Sequence, residues 1–371
     1  MTLDPTTPRV ELGHILALRL FDIAYAIDLA AAELLWAKHA QGRTSRSRLT
    51  ATAPKAVAFG EPPLAVALDA VTLDLGTERI EAVVTARLFD FGTVSLALRV
   101  PARDMAWADF TARLNAVGEV ALSTFWEPIL EQLRQVLRTA LVKPTPSTVS
   151  EDYLIGNVQA FNSKLTAAEI LARVDLVPLL TGETRPLSET ARTEVLRQRF
   201  SYYTDDLVVL TWDRAFIYEP RGDSDVIDVL EVANIQLLEM RYYDELLDDE
   251  LPRMYSLVET ARRRGLILAP RRFANLARRF YTLVAEVTEL TERVDNALQV
   301  TEDVYLARIY ASALELFRVK TVSAAVDRKL AIIRDTYTAL YDEASSRRSE
   351  LLEVLIVLLI VAEIVLALVR P

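Results

Sequence analysis

Apolar and polar positions alternate differently in the two halves of the chain, and the change of period predicts the fold class. In the first half, period-two alternation marks strands. Gly13–Ile23 (GHILALRLFDI) reads as a strand, and Ala26–His39 follows as an amphipathic helix. Leu64–Leu75 and Ile80–Val100 hold further strands, clearest in RIEAVVTARLFDF and TVSLALRV. Asp104–Leu141 reads as a long helix with a kink at Pro128. A polar basic loop, Gln41–Arg48, and a linker, Lys143–Thr148, punctuate these elements.

The same order then returns. Tyr153–Phe161 reads as a strand, Ala167–Ala172 as a helix start, Leu207–Tyr218 as a hairpin turning near Asp213, and Asp225–Arg263 as a long helix. HILALRLFD resembles LIGNVQAFN, and ARLFDFGTVSL resembles VLTWDRAFIY. The expected class is therefore α+β, with two similar β-α-β-β-α units. Beyond Pro270 the period becomes helical. Leu276, Phe280, Leu283, Val287, Leu290 and Val294 share one seam, as do Val326, Leu330, Ile333, Tyr337, Leu340 and Ala344. These predict long antiparallel, coiled-coil-like helices with a turn near Gln299–Asp303. The expected division is 1–142, a linker at 143–150, 151–268, a helical hairpin at 269–348 and a hydrophobic tail at 349–371.

The tail, Leu351–Val369, has 17 apolar residues of 19. Helical rise makes it about 28 Å long, close to a bilayer's hydrocarbon core. It predicts a C-terminal transmembrane anchor, with Arg347 and Arg348 placing the bulk of the chain in the cytoplasm. Glu353 and Glu363 within it are expected to pack against partner helices, which suggests a homo-oligomer. The opening MTLDPTTPRVE carries no secretory or transit pattern, so an exported protein is not expected.

Composition narrows the chemistry. The net charge of −10 disfavours nucleic acid as a general partner. There are no cysteines, which removes disulfides and thiolate chemistry. The ten glycines are never within five residues of one another, so no Gly-rich phosphate loop can form. With His14 and His39 alone, a histidine metal cluster is excluded and both are read as structural. No catalytic residue, cofactor, resident metal or small-molecule substrate is identified.

Two charged constellations remain. Asp244, Asp248 and Asp249 lie in RYYDELLDDEL, where an acidic helix face competes with a divalent-cation site. Asp244 also falls on the apolar stripe of its helix and therefore calls for a partner, either Arg241 or a basic residue of a packed helix. Arg262, Arg263, Arg264, Arg271, Arg272, Arg278 and Arg279 form a basic stretch without an acid between them. They suit RNA, ribosome or lipid phosphates, or pairing with the acidic helix before them. Tyr202, Tyr203, Trp212, Phe216, Tyr218, Tyr242 and Tyr243 form an aromatic group read as core.

SYYTDDLVVLTWDRAFIYEP, DVLEVANIQLLEMRYYDELLDDEL and TEDVYLARIYASALELFRV, with the closing RRSELLEVLIVLLIVAEIVLALV, resemble the required-for-meiotic-nuclear-division family. That family is also described as a sporulation-protein family and a domain of unknown function. The resemblance implies an N-terminal α/β part, helical hairpins, a C-terminal membrane helix and a role in supporting translation. It supplies no catalytic residues. The expected function is a membrane-tethered, homo-oligomeric scaffold or interaction protein. The alternatives are a metal-dependent enzyme using Asp244, Asp248 and Asp249, and a soluble helical oligomer with a buried tail.

Overall fold

The structure, a computed structural model, describes residues 8–39, 57–59, 61–76, 78–145, 149–263, 298–300 and 303–369, with scattered positions between 275 and 288. It is a mixed α/β protein that divides into two compact units. The first comprises Met1–Tyr242 and Arg293–Lys320, the second Tyr243–Glu292 and Thr321–Pro371.

The first unit is organised by β1 (Arg9–Asp22), a 14-residue strand buried on both faces for most of its length. That is why its middle, Ile15–Leu18, is continuously apolar rather than alternating. It pairs antiparallel with β7 (Thr93–Ala106) on one side and with β9 (Ser150–Phe161) on the other. Beyond β7 come β6 (Arg79–Leu88), then β4 (Leu64–Ala67), with β5 (Val71–Asp74) also on β6. Beyond β9 come β12 (Arg214–Tyr218), β11 (Leu207–Leu210) and β10 (Arg199–Phe200). The β9–β12 pairing is parallel, and every other pairing in this sheet is antiparallel. Four short strands pair outside it. β2 (Ala24–Ile27) joins β8 (Leu141–Pro144), and β3 (Val57–Phe59) joins β13 (Leu298–Val300).

The alternation in β7 separates two faces. Val94, Leu96, Leu98 and Val100 point into an apolar core. That core is closed by α1 (Leu29–His39), α2 (Trp107–Leu122), α3 (Glu127–Leu137), α4 (Ala167–Arg173) and α5 (Val177–Thr181), whose buried residues include Trp36, Phe110, Leu133, Ile170 and Leu179. A further short helix, α6 (Glu189–Val195), precedes β10. The expected single helix over Asp104–Leu141 is instead α2, a 3-10 turn at Thr124–Trp126, and α3. Pro128 does not kink a helix. It sits in the first turn of α3, where its missing N–H costs nothing.

The other face of β7 carries Thr93, Ser95 and Arg99. The first part of α7 (Asp225–Arg263) bonds to this face of the sheet, through pairs from Arg87 and Thr93. After β13, α8 (Val304–Leu316) starts on an Asp303 cap whose carboxylate accepts from the N–H groups of Tyr305 and Leu306. The turn expected near Gln299–Asp303 thus includes a short strand.

The second unit holds the rest of α7, the helical positions between 275 and 288, and most of α9 (Val319–Val369). Among the described residues its buried apolar side chains are Tyr243, Leu247, Met254, Phe280, Val287, Val326, Leu330 and Ile333. The seam positions Leu276, Leu283, Leu290 and Val294, and the side chains of Tyr337, Leu340 and Ala344, lie outside the described residues.

The expected membrane anchor is not supported. Among the described residues, no helix is long and apolar enough to cross a membrane. The tail-anchored location, and with it the orientation read from Arg347 and Arg348, is therefore unsupported.

The β6–β7 hairpin depends on Gly92. Its φ is +103°, and a Cβ there would lie 1.7 Å from the Ala24 carbonyl oxygen. At Gly76, φ is +80° but a Cβ would meet nothing within 4 Å. Gly92→Ala is therefore expected to lower unfolding free energy by about 3 kcal/mol or more, and Gly76→Ala by about 1 kcal/mol. Urea unfolding of the two variants checks this, and similar losses would contradict the steric argument.

Candidate functional site

The first part of α7 carries charge where a buried helix normally has none. Asp228 and Glu239 are eleven residues apart, which at 100° per residue puts them about 20° apart on one face. Glu231 lies about 60° from Asp228 and about 80° from Glu239. All three are buried. Arg87 of β6 answers two of them, donating to Asp228 at 2.7 Å and also to Glu231. Ser224 Oγ donates to Asp228 as well, at 3.3 Å. The Thr93 hydroxyl donates to Glu239.

Around these pairs the layer is polar but dry. The Glu231 carboxylate, joined by Asp228 and outweighing the opposing effect of burial, holds Arg87 above its ordinary range. His14 is buried near Arg99, which lowers it to about 4 and keeps the imidazole neutral. Burial and the neighbouring Glu239 raise Asp22 well above the carboxylate range. His14 Nε2, Ser95 Oγ and Asn157 Oδ1 have no hydrogen-bond partner among the described residues. Because its charges are paired internally, this layer positions α7 rather than offering free reactive groups.

The layer leads to a cleft of about 770 Å³, within the range of small-molecule sites. Every residue lining it belongs to the first unit. Glu151, at the start of β9, is almost fully buried there and receives Arg241 Nη1 of α7 at 2.7 Å. Burial raises Glu151 to about 7, with Arg241 opposing the shift. Trp212, in the β11–β12 turn, is 72% exposed. Arg318 lies at the α8–α9 junction with φ +57°, a left-handed conformation that glycine normally supplies. Next to it, Phe317 packs edge-on against Tyr153 of β9, 5.3 Å between centroids.

The anticipated site residues are scattered. Asp244 and Asp248 converge on Lys329 of α9, at 2.6 and 2.7 Å. Lys329 Nζ also donates to the Asp244 carbonyl oxygen at 3.0 Å. The ammonium occupies the position a bound cation would take. Asp249 is exposed, 3.8 Å from Arg253. Among the described residues, no group of three or more acidic or histidine side chains could hold a metal. Of the basic stretch, Arg262 and Arg263 end α7, Arg278 is helical and exposed, and Arg264, Arg271, Arg272 and Arg279 lie outside the described residues. Glu353 and Glu363 are exposed on α9. His39 ends α1 beside Trp36, 5.4 Å between ring centroids. Of the aromatic group, Phe216, Tyr218 and Tyr243 are buried, Tyr242 is half-buried, and Tyr202, Tyr203 and Trp212 are exposed.

Sequence reasoning did not single out Glu151, Arg241 as its partner, or Arg318. The one available signal was the acidic start of β9, SEDY, on a strand otherwise apolar.

The raised Asp22 has a measurable consequence. A carboxyl that binds its proton more tightly when folded stabilises the fold at low pH and loses that contribution as pH rises toward its folded pKa. Asp22→Asn keeps a neutral side chain throughout. Its melting temperature relative to the parent is expected to climb by a few degrees from about pH 5 to about pH 8. Thermal unfolding at both pH values checks this, and a constant offset would show that Asp22 is ionised in the fold.

Comparison with known proteins gives a family without an assigned activity. The family model described as "Uncharacterized protein MJ0711, N-terminal domain" matches residues 12–225. A relative, the uncharacterized protein MJ0711 of Methanocaldococcus jannaschii, is 26% identical over 196 residues. The match covers 53% of this chain and 59% of that protein. No solved structure matches. The resemblance to the required-for-meiotic-nuclear-division family is not supported, since neither the family model nor the relative points to it. The motifs behind it, an apolar hairpin followed by an amphipathic helix, are a supersecondary pattern that unrelated folds share. With it go the implied roles in sporulation and translation. The match over residues 12–225 spans more than half of the sequence and takes in the whole main sheet, and the chain belongs to the MJ0711 N-terminal domain family.

Proposed function

We propose that this protein is a self-associating interaction protein whose copies join through the last helix. The observation that carries this is the apolar surface of α9. Leu355–Ile360, with Val361, Ile364 and Val365, are each 50–63% exposed, and they occupy successive positions rather than one stripe. A helix apolar all round belongs inside a protein or a lipid phase. Among the described residues no helix is long and apolar enough to cross a membrane, so the occupant we assign is the same helix of other copies. These side chains expose on the order of 800 Å², what one partner contributes to a standard interface. Glu353 would then sit at one end of the contact, where it reaches water, and Glu363 within it, where it needs a partner across the interface.

Within the first unit we read the two halves of the sheet as divergent copies. Each runs strand, helix, hairpin, helix, and in each the hairpin's second strand lies beside the first strand. The difference is direction, β1–β7 being antiparallel and β9–β12 parallel.

Sedimentation velocity of the full-length protein without detergent tests the assembly. An oligomer is expected, and Leu355→Glu with Leu359→Glu is expected to return it to monomer. Each buried charge costs several kcal/mol without a partner. Both substitutions lie on exposed helix, so urea unfolding of the first unit should not change. A parent protein that sediments as a monomer at tens of micromolar would refute the reading.

A further inference from the structure

We propose that the cleft between the start of β9, the β11–β12 turn, α7 and the α8–α9 junction binds a small organic anion bearing a flat ring. The ring stacks on Trp212, and the acidic group is held by the guanidinium groups of Arg241 and Arg318. This goes beyond self-association and rests on a different part of the molecule.

Trp212 supplies the first argument. Trp36 and Trp126 are buried at 2% exposure, whereas Trp212 stands out at the cleft with its indole mostly in solvent. Its turn is short and firmly held. Thr211 Oγ1 bonds within the turn to Asp213 at 3.2 Å and accepts from the Arg214 N–H at 3.1 Å. Tyr153 Oη donates to the carbonyl oxygens of Thr211 and Arg214 at 3.0 and 2.9 Å. The indole is therefore presented on a rigid support, which lowers the cost of stacking a ring on it.

The charges supply the second. Of the carboxylates lining the cleft, Glu194 is met by Arg197 at 3.2 Å, Asp152 by Arg19 of β1 at 3.0 Å, and Glu151 by Arg241. Arg318 has no ion-pair partner among the described residues. Its left-handed backbone costs roughly 1–2 kcal/mol that a glycine would avoid. Its side chain is exposed, so that strain is not repaid by packing. Glu315, three residues earlier, is exposed at the rim.

The guanidinium of Arg318, unpaired among the described residues at the cleft, sets the sign of the ligand, and Glu151 sets its pH dependence. Glu151 can take up a proton near neutral pH, because burial holds it at about 7. The charged groups facing it are Arg241 from α7, Asp152 beside it on β9, and Arg19 from β1. Once Glu151 is neutral, Arg241 and Arg318 both stand without a carboxylate. The cleft can thus become more positive at little cost, and no comparable change makes it more negative. An anion arriving at Arg241 displaces Glu151 and favours its protonated form. Affinity should then fall as pH rises through the value for Glu151.

The probes are adenosine monophosphate and naphthoate, which carry a phosphate and a carboxylate on a flat ring system. Inorganic phosphate and acetate are the ringless controls. Each is titrated into the full-length protein by calorimetry and by acrylamide quenching of tryptophan fluorescence. A ringed probe is expected to bind with a Kd below about 1 mM and to protect Trp212, the controls binding at least about tenfold more weakly. Trp212→Ala and Arg318→Ala, both on the surface, should each weaken binding by about tenfold. Binding should tighten from about pH 8 to about pH 6, and Glu151→Gln should abolish that dependence. Binding of adenosine monophosphate alone assigns a phosphate ligand, and of naphthoate alone a carboxylate. If neither ringed probe binds below about 10 mM, or if both surface substitutions leave affinity unchanged, the proposal is wrong.

Discussion

The first unit is built around one electrostatic constraint, a helix buried against a sheet while carrying three carboxylates toward it. Asp228 and Glu231 share the single guanidinium of Arg87, and Glu239 takes the hydroxyl of Thr93. An apolar helix would pack there at lower desolvation cost. What the charges add is register, because a shift of one residue turns the carboxylates by 100° and strands them without partners. The neighbours answer the same constraint. Near Arg99 and away from water, His14 stays neutral, and beside Glu239, Asp22 keeps its proton. Two residues beyond Glu239 on α7, Arg241 reaches Glu151. The cleft is thus fixed by the same docking that buries the helix.

The strands were legible where one face alone is apolar. In β7, the run Val94, Leu96, Leu98, Val100 marks the core face, and Thr93, Ser95 and Arg99 mark the other. The Asp225–Arg263 helix was legible too, because Ser224 and Asp225 open it and its period is sustained. What could not be read is that the polar strand face is also buried. Alternation normally means that the second face meets water, and here it meets α7. Short pieces were missed for a different reason. Leu298–Val300 is a strand only because Val57–Phe59 pairs with it, from about 240 residues away in sequence.

The Asp244 stripe shows how far local reasoning reaches. A carboxylate on an apolar seam requires a cation, and the sequence around it supplied Arg241 as one option and a packed helix as the other. Arg241 is committed to Glu151 in the first unit, and Lys329, 85 residues on, serves Asp244 and Asp248 in the second. The need was local and the solution was not. The tail illustrates the opposite error. Hydropathy summed over Leu351–Val369 suggested a membrane span, but among the described residues no helix is long and apolar enough to cross.

The cleft was invisible in the sequence because it is assembled from positions 151, 212, 241 and 318, which share no spacing. Backbone strain narrows where its chemistry lies. Among the described residues, three that are not glycine have left-handed φ, namely Asp104, Lys143 and Arg318. Two of these have local uses. The Asp104 carbonyl accepts from Arg9 at 2.7 Å, and the Lys143 ammonium lies over the Tyr25 ring, 4.6 Å from its centroid. Arg318 has neither kind of contact among the described residues, yet it lines the cleft at a junction fixed by Phe317 against Tyr153. A glycine would close the α8 terminus at lower cost but would present no guanidinium. The energy spent at that position therefore places a cation at the cleft, with the Trp212 indole among its other walls.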